Sequence, residues 1–240
     1  MKKKIYENSG CDFCVDEAYG GGKSAPMDAE AKLLMACIPG LKAAYGGAEA
    51  ADIQGDVVLN ITNGTFDRIF GGNNESGTIR GSIVVNIEET GCRPLIIGEL
   101  YGGGNLAGYS KYGYKKVDDV WLPREAKDEQ EPGTTLSDDP QVNVRSFTSI
   151  GNIYGGGYGE TAVMVGNPHV NINVTEGEYA ANGYEGTEKT IDGHQVIIPP
   201  HVEGKIGAIQ NVYGGGYGAK VDGDTYVEIG TKVGENIVFN

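Results

Sequence analysis

Apolar and polar residues alternate along four short segments of this chain, and β-branched residues fill most of the apolar positions. The segments are residues 57–61, 83–87, 170–174 and 226–229. A period of two residues places successive side chains on opposite faces of an extended strand. The pattern therefore predicts four strands that each bury one face.

A second pattern is an aromatic residue followed by two or three small residues, which recurs six times. The six aromatic residues are Tyr19, Tyr45, Phe70, Tyr101, Tyr154 and Tyr213. The spacings between them are 26, 25, 31, 53 and 59 residues, which fit a unit of 25 or 26 residues with insertions in the last three units. A fixed period of this length is typical of repeat architectures, in which each unit packs against its neighbours.

Two columns of the aligned repeats are apolar in all six copies. The residues one position before the aromatic are Ala18, Ala44, Ile69, Leu100, Ile153 and Val212. The residues four positions before it are Val15, Leu41, Phe66, Ile97, Ile150 and Ile209. Because only 39% of the chain is hydrophobic, chance would not fill both columns. We therefore predict that both columns lie in the core.

The repeat predicts the fold class. A unit this short cannot bury its own apolar face, so the units must stack on one another. We expect an all-β chain that forms a single parallel β-helix (β-solenoid) domain over residues 1–240, with about six coils of ~25 residues. In such a stack the aromatic rings of the six repeats lie over one another at the spacing between strands.

The glycines after each aromatic residue predict sharp corners between strands, for two reasons. Glycine adopts a positive φ without strain, and a residue without a Cβ atom lets the next coil approach closely. The alternative is a glycine-rich phosphate-binding loop, which requires a strand followed by a helix. Every copy of the motif lies between predicted strands, which disfavours the phosphate-binding alternative.

Two long insertions, residues 106–140 and 175–205, interrupt the repeat. The first contains Tyr109, Tyr112, Tyr114 and Trp121, followed by several carboxylates. Planar aromatic rings beside carboxylates suit sugar faces and hydroxyl groups, and loops on a rigid scaffold often carry function. We therefore predict that these four residues bind a ligand. The alternative is that their rings pack the insertion against the body of the protein.

The net charge of the chain restricts which classes of binding partner are expected. The chain has 19 Lys and Arg against 33 Asp and Glu, for a net charge of −14. Such a charge repels phosphate backbones and anionic lipids, so neither nucleic acid nor a membrane surface is an expected partner. No segment reaches the roughly 18 consecutive apolar residues that membrane insertion requires.

The two ends of the chain favour a fragment of a longer repeat protein. The basic start, residues 1–4, is not followed by the apolar core of a signal peptide, and the chain ends in a strand-like run.

Candidate chemistry outside the insertions is sparse. The cysteines Cys11, Cys14, Cys37 and Cys92 are compatible with buried thiols, with a disulfide from Cys11 or Cys14 to Cys37, or with a metal. The three histidines share no motif spacing, and no metal ligand set is predicted. Acidic clusters in the loops are expected to keep the surface solvated, so no cofactor is predicted, and Ca²⁺ bound by their oxygens is the alternative. Paired carboxylates for glycoside hydrolysis are the further alternative.

One family resemblance is carried by residues 150–159 and their copy, residues 209–218. The run Ile-Gly-Asn-Ile-Tyr-Gly-Gly-Gly-Tyr-Gly resembles repeats of large surface proteins of gut bacteria. The resemblance implies a right-handed parallel β-helix, the fold of pectate-lyase-like enzymes and of bacterial adhesin passengers. It also implies an extracellular or cell-surface location.

For function, the resemblance implies a non-enzymatic structural or adhesive segment, whose insertions contact glycans or host or microbial surface proteins. A polysaccharide-active enzyme, either a lyase or a glycoside hydrolase on the same fold, is the alternative. The catalytic motifs of the pectin-cleaving members, a pair of nearby Asp-Asp motifs followed by Gly-His and an Arg at a matching place, have no counterpart in that arrangement in this sequence. Their absence favours the non-enzymatic role.

Overall fold

The structure, a computed structural model, describes residues 15–91, 93–128, 136–175, 183–205, 207–233 and 236–238. Within these ranges the protein is all-β and has no helix. The strands, in chain order, are β1 (Glu17–Tyr19), β2 (Ala31–Met35), β3 (Gly40–Tyr45), β4 (Val57–Ile61), β5 (Gly64–Phe70), β6 (Ile83–Glu88), β7 (Leu95–Tyr101), β8 (Tyr109–Ser110), β9 (Tyr114–Val117), β10 (Val120–Pro123), β11 (Gln141–Ser146), β12 (Ser149–Tyr154), β13 (Met164–Val165), β14 (His169–Thr175), β15 (Thr187–Ile191), β16 (His194–Ile198), β17 (Ala208–Tyr213), β18 (Val221–Asp222), β19 (Tyr226–Val233) and β20 (Asn236–Val238).

The six aromatic repeats form one parallel sheet, in the order β1-β3-β5-β7-β12-β17, which we call the six-stranded sheet. The register matches the sequence alignment at every step. Tyr101, for example, pairs with Phe70 on one side and with Tyr154 on the other. The predicted equivalence of the six repeats is therefore confirmed.

The four alternating segments lie in a second sheet, in the order β2-β4-β6-β11-β14-β19-β20, which we call the seven-stranded sheet. Its first six strands are parallel, and β20 is antiparallel to β19. Each repeat therefore gives one strand to each large sheet, in sequence order. The four predicted strands are confirmed as β4, β6, β14 and β19.

A third row of parallel pairs links the repeats between the two large sheets. Met27, Ile53 and Ile79 form successive isolated bridges. Further along the chain, β8, β13 and β18 form a three-stranded sheet, in which Tyr109 pairs with Met164. These pairs are too short to give a visible alternation in the sequence, so sequence analysis missed this row.

Both predicted core columns lie in one apolar cluster that joins the two large sheets. Ile69, Leu100 and Ile153 are completely buried, as the first column predicts. The second column is buried in its central strands, but Val15 is 37% exposed, so the prediction is wrong at that position. Val15 precedes the first strand of the six-stranded sheet, where only one neighbouring strand is present to cover it.

The aromatic column stacks as predicted. Neighbouring rings from Tyr19 to Tyr213 have centroids 4.7–5.1 Å apart and are inclined by 5–11°. The rings form a cluster of their own, separate from the main core. They lie on the opposite face of the six-stranded sheet because the preceding residue points into the core. We call this row the aromatic ladder.

The corner glycines correct one prediction. None of the glycines in the two or three positions directly after the six ladder aromatics is among the described residues with positive φ. Close approach, the second predicted reason, does apply: a Cβ atom on Gly155 would lie 2.3 Å from the carbonyl oxygen of Gly214. These residues are glycine because the backbones of successive repeats nearly touch at the corners.

Asparagine side chains form a second regular row, on the seven-stranded sheet. The amides of the last three members each donate to the side-chain Oδ1 of the Asn in the preceding repeat at 2.9–3.0 Å, and the first member only accepts. The residues are Asn60, Asn86, Asn143 and Asn171. Such a row satisfies polar groups that the parallel register brings together, and it adds hydrogen bonds between neighbouring strands.

Each of the two insertions contains an antiparallel hairpin. Because Tyr109 and Ser110 pair with Met164 and Val165, the start of the first insertion belongs to the three-stranded sheet. Beyond it, β9 and β10 form an antiparallel hairpin, which turns through Asp118 and Asp119. The second insertion forms the antiparallel hairpin β15–β16.

Candidate functional site

Two of the four predicted ligand-binding residues lie inside the protein. Tyr109 and Tyr114 are 2% and 3% exposed. The hydroxyl of Tyr109 lies 2.9 Å from the Ser137 hydroxyl, and that of Tyr114 accepts from the Ile79 amide at 3.1 Å. Burial is the main cause that raises the pKa of both phenols, that of Tyr114 to about 12. Both rings therefore anchor the insertion to the body.

The other two predicted residues are accessible. Trp121 is 43% exposed, and the guanidinium carbon of Arg80 lies 5.4 Å from its ring centroid. Tyr112 is partly exposed, with the Lys111 ammonium 5.8 Å from its ring centroid. Ligand contact by these two residues stays a prediction. Because the other two tyrosines are buried, the four residues do not form one exposed surface.

The second insertion lies on the outer face of the six-stranded sheet, beside the aromatic ladder. Ile191, Val196 and Ile198 of the hairpin pack against Ile96 of β7. Two glycines on neighbouring strands of the sheet leave the space that the hairpin side chains occupy. A Cβ atom on Gly98 would lie 2.6 Å from Cδ1 of Ile191, and one on Gly151 would lie 2.9 Å from Cγ1 of Val196.

Polar contacts fix the turn of the hairpin to the sheet. The Tyr158 hydroxyl donates to Oδ2 of Asp192 at 2.6 Å, and Arg68 lies 3.3 Å from the same oxygen. The hydrogen bond from Tyr158, with the Arg68 charge, lowers the pKa of Asp192. Burial, with the Asp192 contact, raises the pKa of Tyr158 to about 12. In the middle of β15, Lys189 forms an ion pair with Asp67.

A buried carboxylate lies under the hairpin. The side chain of Glu99 is completely buried, and its Oε1 lies 3.0 Å from Nε2 of His194. The Asn152 amide is 3.5 Å from the same oxygen. A buried carboxylate requires hydrogen bonds, and His194 supplies the shortest of these contacts. Burial, with the Glu99 charge, raises the pKa of the neighbouring phenol of Tyr101.

An open cleft of about 290 Å³ lies between the hairpin and the last strand of the six-stranded sheet. We call it the tyrosine cleft. Its walls include Asn152, His194, Gln195, Asn211, Tyr213 and Tyr217. None of the nine described residues that line it is Asp, Glu, Lys or Arg. The volume is near the lower end of the roughly 300–1,000 Å³ that small-molecule sites occupy.

Aromatic rings meet at right angles in the tyrosine cleft. Tyr213 ends the aromatic ladder and is 45% exposed, and Tyr217 is 38% exposed. Tyr217 stands edge-on to Tyr154, with an interplanar angle of 81° and a centroid distance of 5.9 Å. Its ring also stacks on His194 at 4.7 Å. Two exposed ring faces of different orientation are thus held in place by stacking.

Amide side chains complete the polar part of the cleft. The Asn211 amide donates to the Asn152 carbonyl oxygen at 3.0 Å, which fixes both side chains. Gln195 reaches the cleft from the hairpin and donates to the Thr190 hydroxyl at 2.9 Å. Amides offer both donors and acceptors, as sugar hydroxyl groups do. The arrangement can therefore bind a polar ligand that has apolar faces.

Sequence reasoning missed the tyrosine cleft because its two sides are distant in the sequence. His194 and Glu99 are 95 residues apart. One signal could have indicated it: Gly98 and Gly151 stand at equivalent positions of two aligned repeats, inside what the structure shows to be β7 and β12. A glycine inside a strand often marks the close approach of another segment.

A metal site has no support among the residues that the structure describes. No group of three or more His, Cys, Asp or Glu residues there is close enough to hold an ion. The acidic pair Asp118 and Asp119 forms the hairpin turn, where both residues have positive φ. Asp139 instead binds Lys111 at 2.8 Å and the Asn167 backbone amide at 2.7 Å.

Cys37 is disulfide-bonded. The other three cysteines, Cys11, Cys14 and Cys92, lie outside the described residues, so the predicted pairing of Cys37 with Cys11 or Cys14 stays a prediction. In the described ranges, no helix is long and apolar enough to cross a membrane.

Comparison of the chain with known protein families, with characterised proteins and with solved structures finds no significant match.

Proposed function

We propose that the chain forms a parallel β-helix, whose faces are the six-stranded, seven-stranded and three-stranded sheets. Three observations support this fold. Every repeat gives one strand to each large sheet, the strands of successive repeats pair in parallel in all three sheets, and equivalent residues pair in register. One apolar cluster lies between the sheets. Successive strands that alternate between sheets in this way describe a coil.

We further propose that this β-helix is a non-enzymatic adhesive segment outside the cell or on its surface, and that it binds glycans. The disulfide at Cys37 supports an extracellular location, because structural disulfides persist mainly in oxidising compartments. The acidic, repetitive surface suits a long-lived extracellular protein, since like charges oppose aggregation.

The tyrosine cleft carries the glycan proposal. Pyranose rings have apolar faces that pack on aromatic rings, and their hydroxyl groups exchange hydrogen bonds with amides. Tyr213 and Tyr217 supply the exposed rings, and Asn152, Asn211 and Gln195 supply the amides. The cleft is open, so a chain of sugars can pass through it. The accessible ring of Trp121 is a second contact surface on the other insertion.

The test is a glycan array probed with the parent protein and with three variants. Tyr217→Ala removes an exposed ring of the cleft, and Trp121→Ala removes the exposed ring of the first insertion. Tyr226→Ala is the matched control, because Tyr226 is 48% exposed on the seven-stranded sheet, away from the cleft. We expect Tyr217→Ala to weaken binding about tenfold or more, which corresponds to about 1.4 kcal/mol.

Each outcome has a separate meaning. Loss of binding by Trp121→Ala alone would move the site to the first insertion. Equal binding by Tyr217→Ala and Tyr226→Ala would contradict the tyrosine cleft as the site. Absence of binding by the parent would contradict glycan recognition. Cleavage of a bound glycan would favour a polysaccharide-active enzyme, with the Glu99–His194 pair as the first candidate for proton transfer.

A further inference from the structure

We propose that the tyrosine cleft selects uncharged sugars and rejects uronic and other acidic sugars, and that Glu99 contributes to the rejection. The inference rests on the proposed glycan site and names its substrate class. It rests on two observations: none of the nine described lining residues is Lys or Arg, and Arg68 and Lys189 at the hairpin already form ion pairs.

The walls of the cleft offer no permanent positive charge. Tyrosine, asparagine and glutamine are uncharged near neutral pH, and none of the nine described lining residues is Lys or Arg. A carboxylate that enters such a cleft loses water without gaining a cationic partner, and this transfer is unfavourable. Uncharged sugars have no such penalty, because the amides replace the hydrogen bonds to water.

Glu99 adds a negative charge directly behind one wall. It is completely buried, and His194, which lines the cleft, separates it from the open space at a contact distance of 3.0 Å. Burial reduces solvent screening, so its repulsion of an incoming anion extends further than that of a surface carboxylate. A carboxylate in this position favours a ligand without negative charge.

Two basic side chains at the hairpin, Arg68 and Lys189, already have anionic partners. Arg68 lies 3.3 Å from Asp192, and Lys189 forms an ion pair with Asp67. Both pairs fix the hairpin to the six-stranded sheet. An acidic sugar would have to break one of these pairs to gain Arg68 or Lys189 as a partner, and the hairpin would then lose a contact with the six-stranded sheet.

The test compares neutral and acidic oligosaccharides of equal length by isothermal titration calorimetry. The neutral probes are hexasaccharides of glucose and of N-acetylglucosamine, and the acidic probe is the hexamer of galacturonic acid. We expect the parent to bind at least one neutral probe about tenfold or more tighter than the acidic probe. Glu99→Gln keeps the size and the hydrogen-bond acceptor, and it should reduce this preference at least about threefold.

Glu88→Gln is the matched control. It makes the same change of charge on the seven-stranded sheet, where Glu88 pairs with Arg145, and it should leave the preference unchanged. Salt provides a second measurement that needs no variant. Added salt should strengthen the binding of the acidic probe and leave that of the neutral probes almost unchanged, because screening weakens repulsion.

Equal affinity of the parent for neutral and acidic probes would overturn the inference and leave the glycan site intact. An unchanged preference in a folded Glu99→Gln variant would remove Glu99 from the explanation. Binding of the acidic probe that weakens with salt would show attraction in place of repulsion, and it would overturn the inference as well. Failure of every probe to bind the parent would contradict the proposed function itself.

Discussion

Replacing Gly156 by alanine tests whether neighbouring repeats exclude side chains at the glycine corners. A Cβ atom on Gly156 would lie 2.8 Å from the backbone nitrogen and 3.0 Å from Cα of Gly216, and 3.0 Å from Cγ2 of Val221. Gly156 also donates to the Gly215 carbonyl oxygen at 3.1 Å and accepts from the Gly103 amide at 3.1 Å. The methyl group therefore cannot be accommodated without a shift of hydrogen-bonded backbone.

The magnitude follows from two opposing effects. Overpacking of a close contact costs about 1–3 kcal/mol. Alanine also reduces the entropy of the unfolded chain relative to glycine, which offsets about 0.4–1 kcal/mol. The expected net loss is about 1–2 kcal/mol, or about 2–8 °C in Tm for a chain of this size.

Gly215 provides the matched control, because it is the equivalent glycine in the last repeat. A Cβ atom there would meet nothing within 4 Å, and neither glycine has a positive φ. Gly215→Ala should therefore be neutral, or stabilising by up to about 1 kcal/mol. Thermal and urea unfolding, followed by circular dichroism, would measure both variants. Equal effects of the two substitutions would refute the reasoning, since the presence of a neighbouring repeat is the main difference between the two positions.

Two further predictions concern the core and the tyrosines. Ile153→Asp should destabilise the fold by about 4 kcal/mol or more, because Ile153 is completely buried. Ile197→Asp is the control and should be tolerated, because Ile197 is 45% exposed. Similar melting temperatures of the two variants would contradict the assigned core. Burial raises the pKa of Tyr45 to about 12 from an ordinary value of 10.0, so the stability that its neutral form provides is complete below pH 10 and is lost as the pH rises towards 12. Unfolding and tyrosinate absorbance should rise together in this window, and early titration of all tyrosines without unfolding would contradict the stacked, buried ladder.

The body of the protein could be predicted from the sequence because its contacts repeat. Phe70 pairs with Tyr45 and Tyr101 because the same local pattern recurs at a nearly constant interval, and the register follows from aligning the copies. Strand alternation then assigns one side chain to the core and the next to the outer face. One property of the corner glycines was misjudged, since close backbone approach explains them and positive φ does not.

The candidate site could not be predicted because its contacts occur once. The hairpin β15–β16 is distant in sequence from the strands that it covers, and no repeat indicates where it lies. The aromatic residues of the first insertion gave a local signal, but the same composition serves packing and ligand binding equally well. Burial separates the two uses: Tyr109 and Tyr114 are internal, whereas Trp121 is exposed.

The location of the tyrosine cleft follows from how an insertion changes a repeated surface. A stack of equivalent strands exposes the same kinds of side chain at every repeat. A ligand could contact the rings and amides of such a surface at many equivalent positions, so the surface alone does not define one binding site. The hairpin covers part of this surface and supplies His194 and Gln195 as a second wall, facing Asn211 and Tyr213 of the edge strand. The rigid repeats thus hold one wall and the buried Glu99 of β7 in place, and the hairpin determines the shape of the cleft. Substitutions in the hairpin should accordingly change ligand preference with little effect on the stability of the repeats, because the hairpin adds no residue to the main apolar cluster.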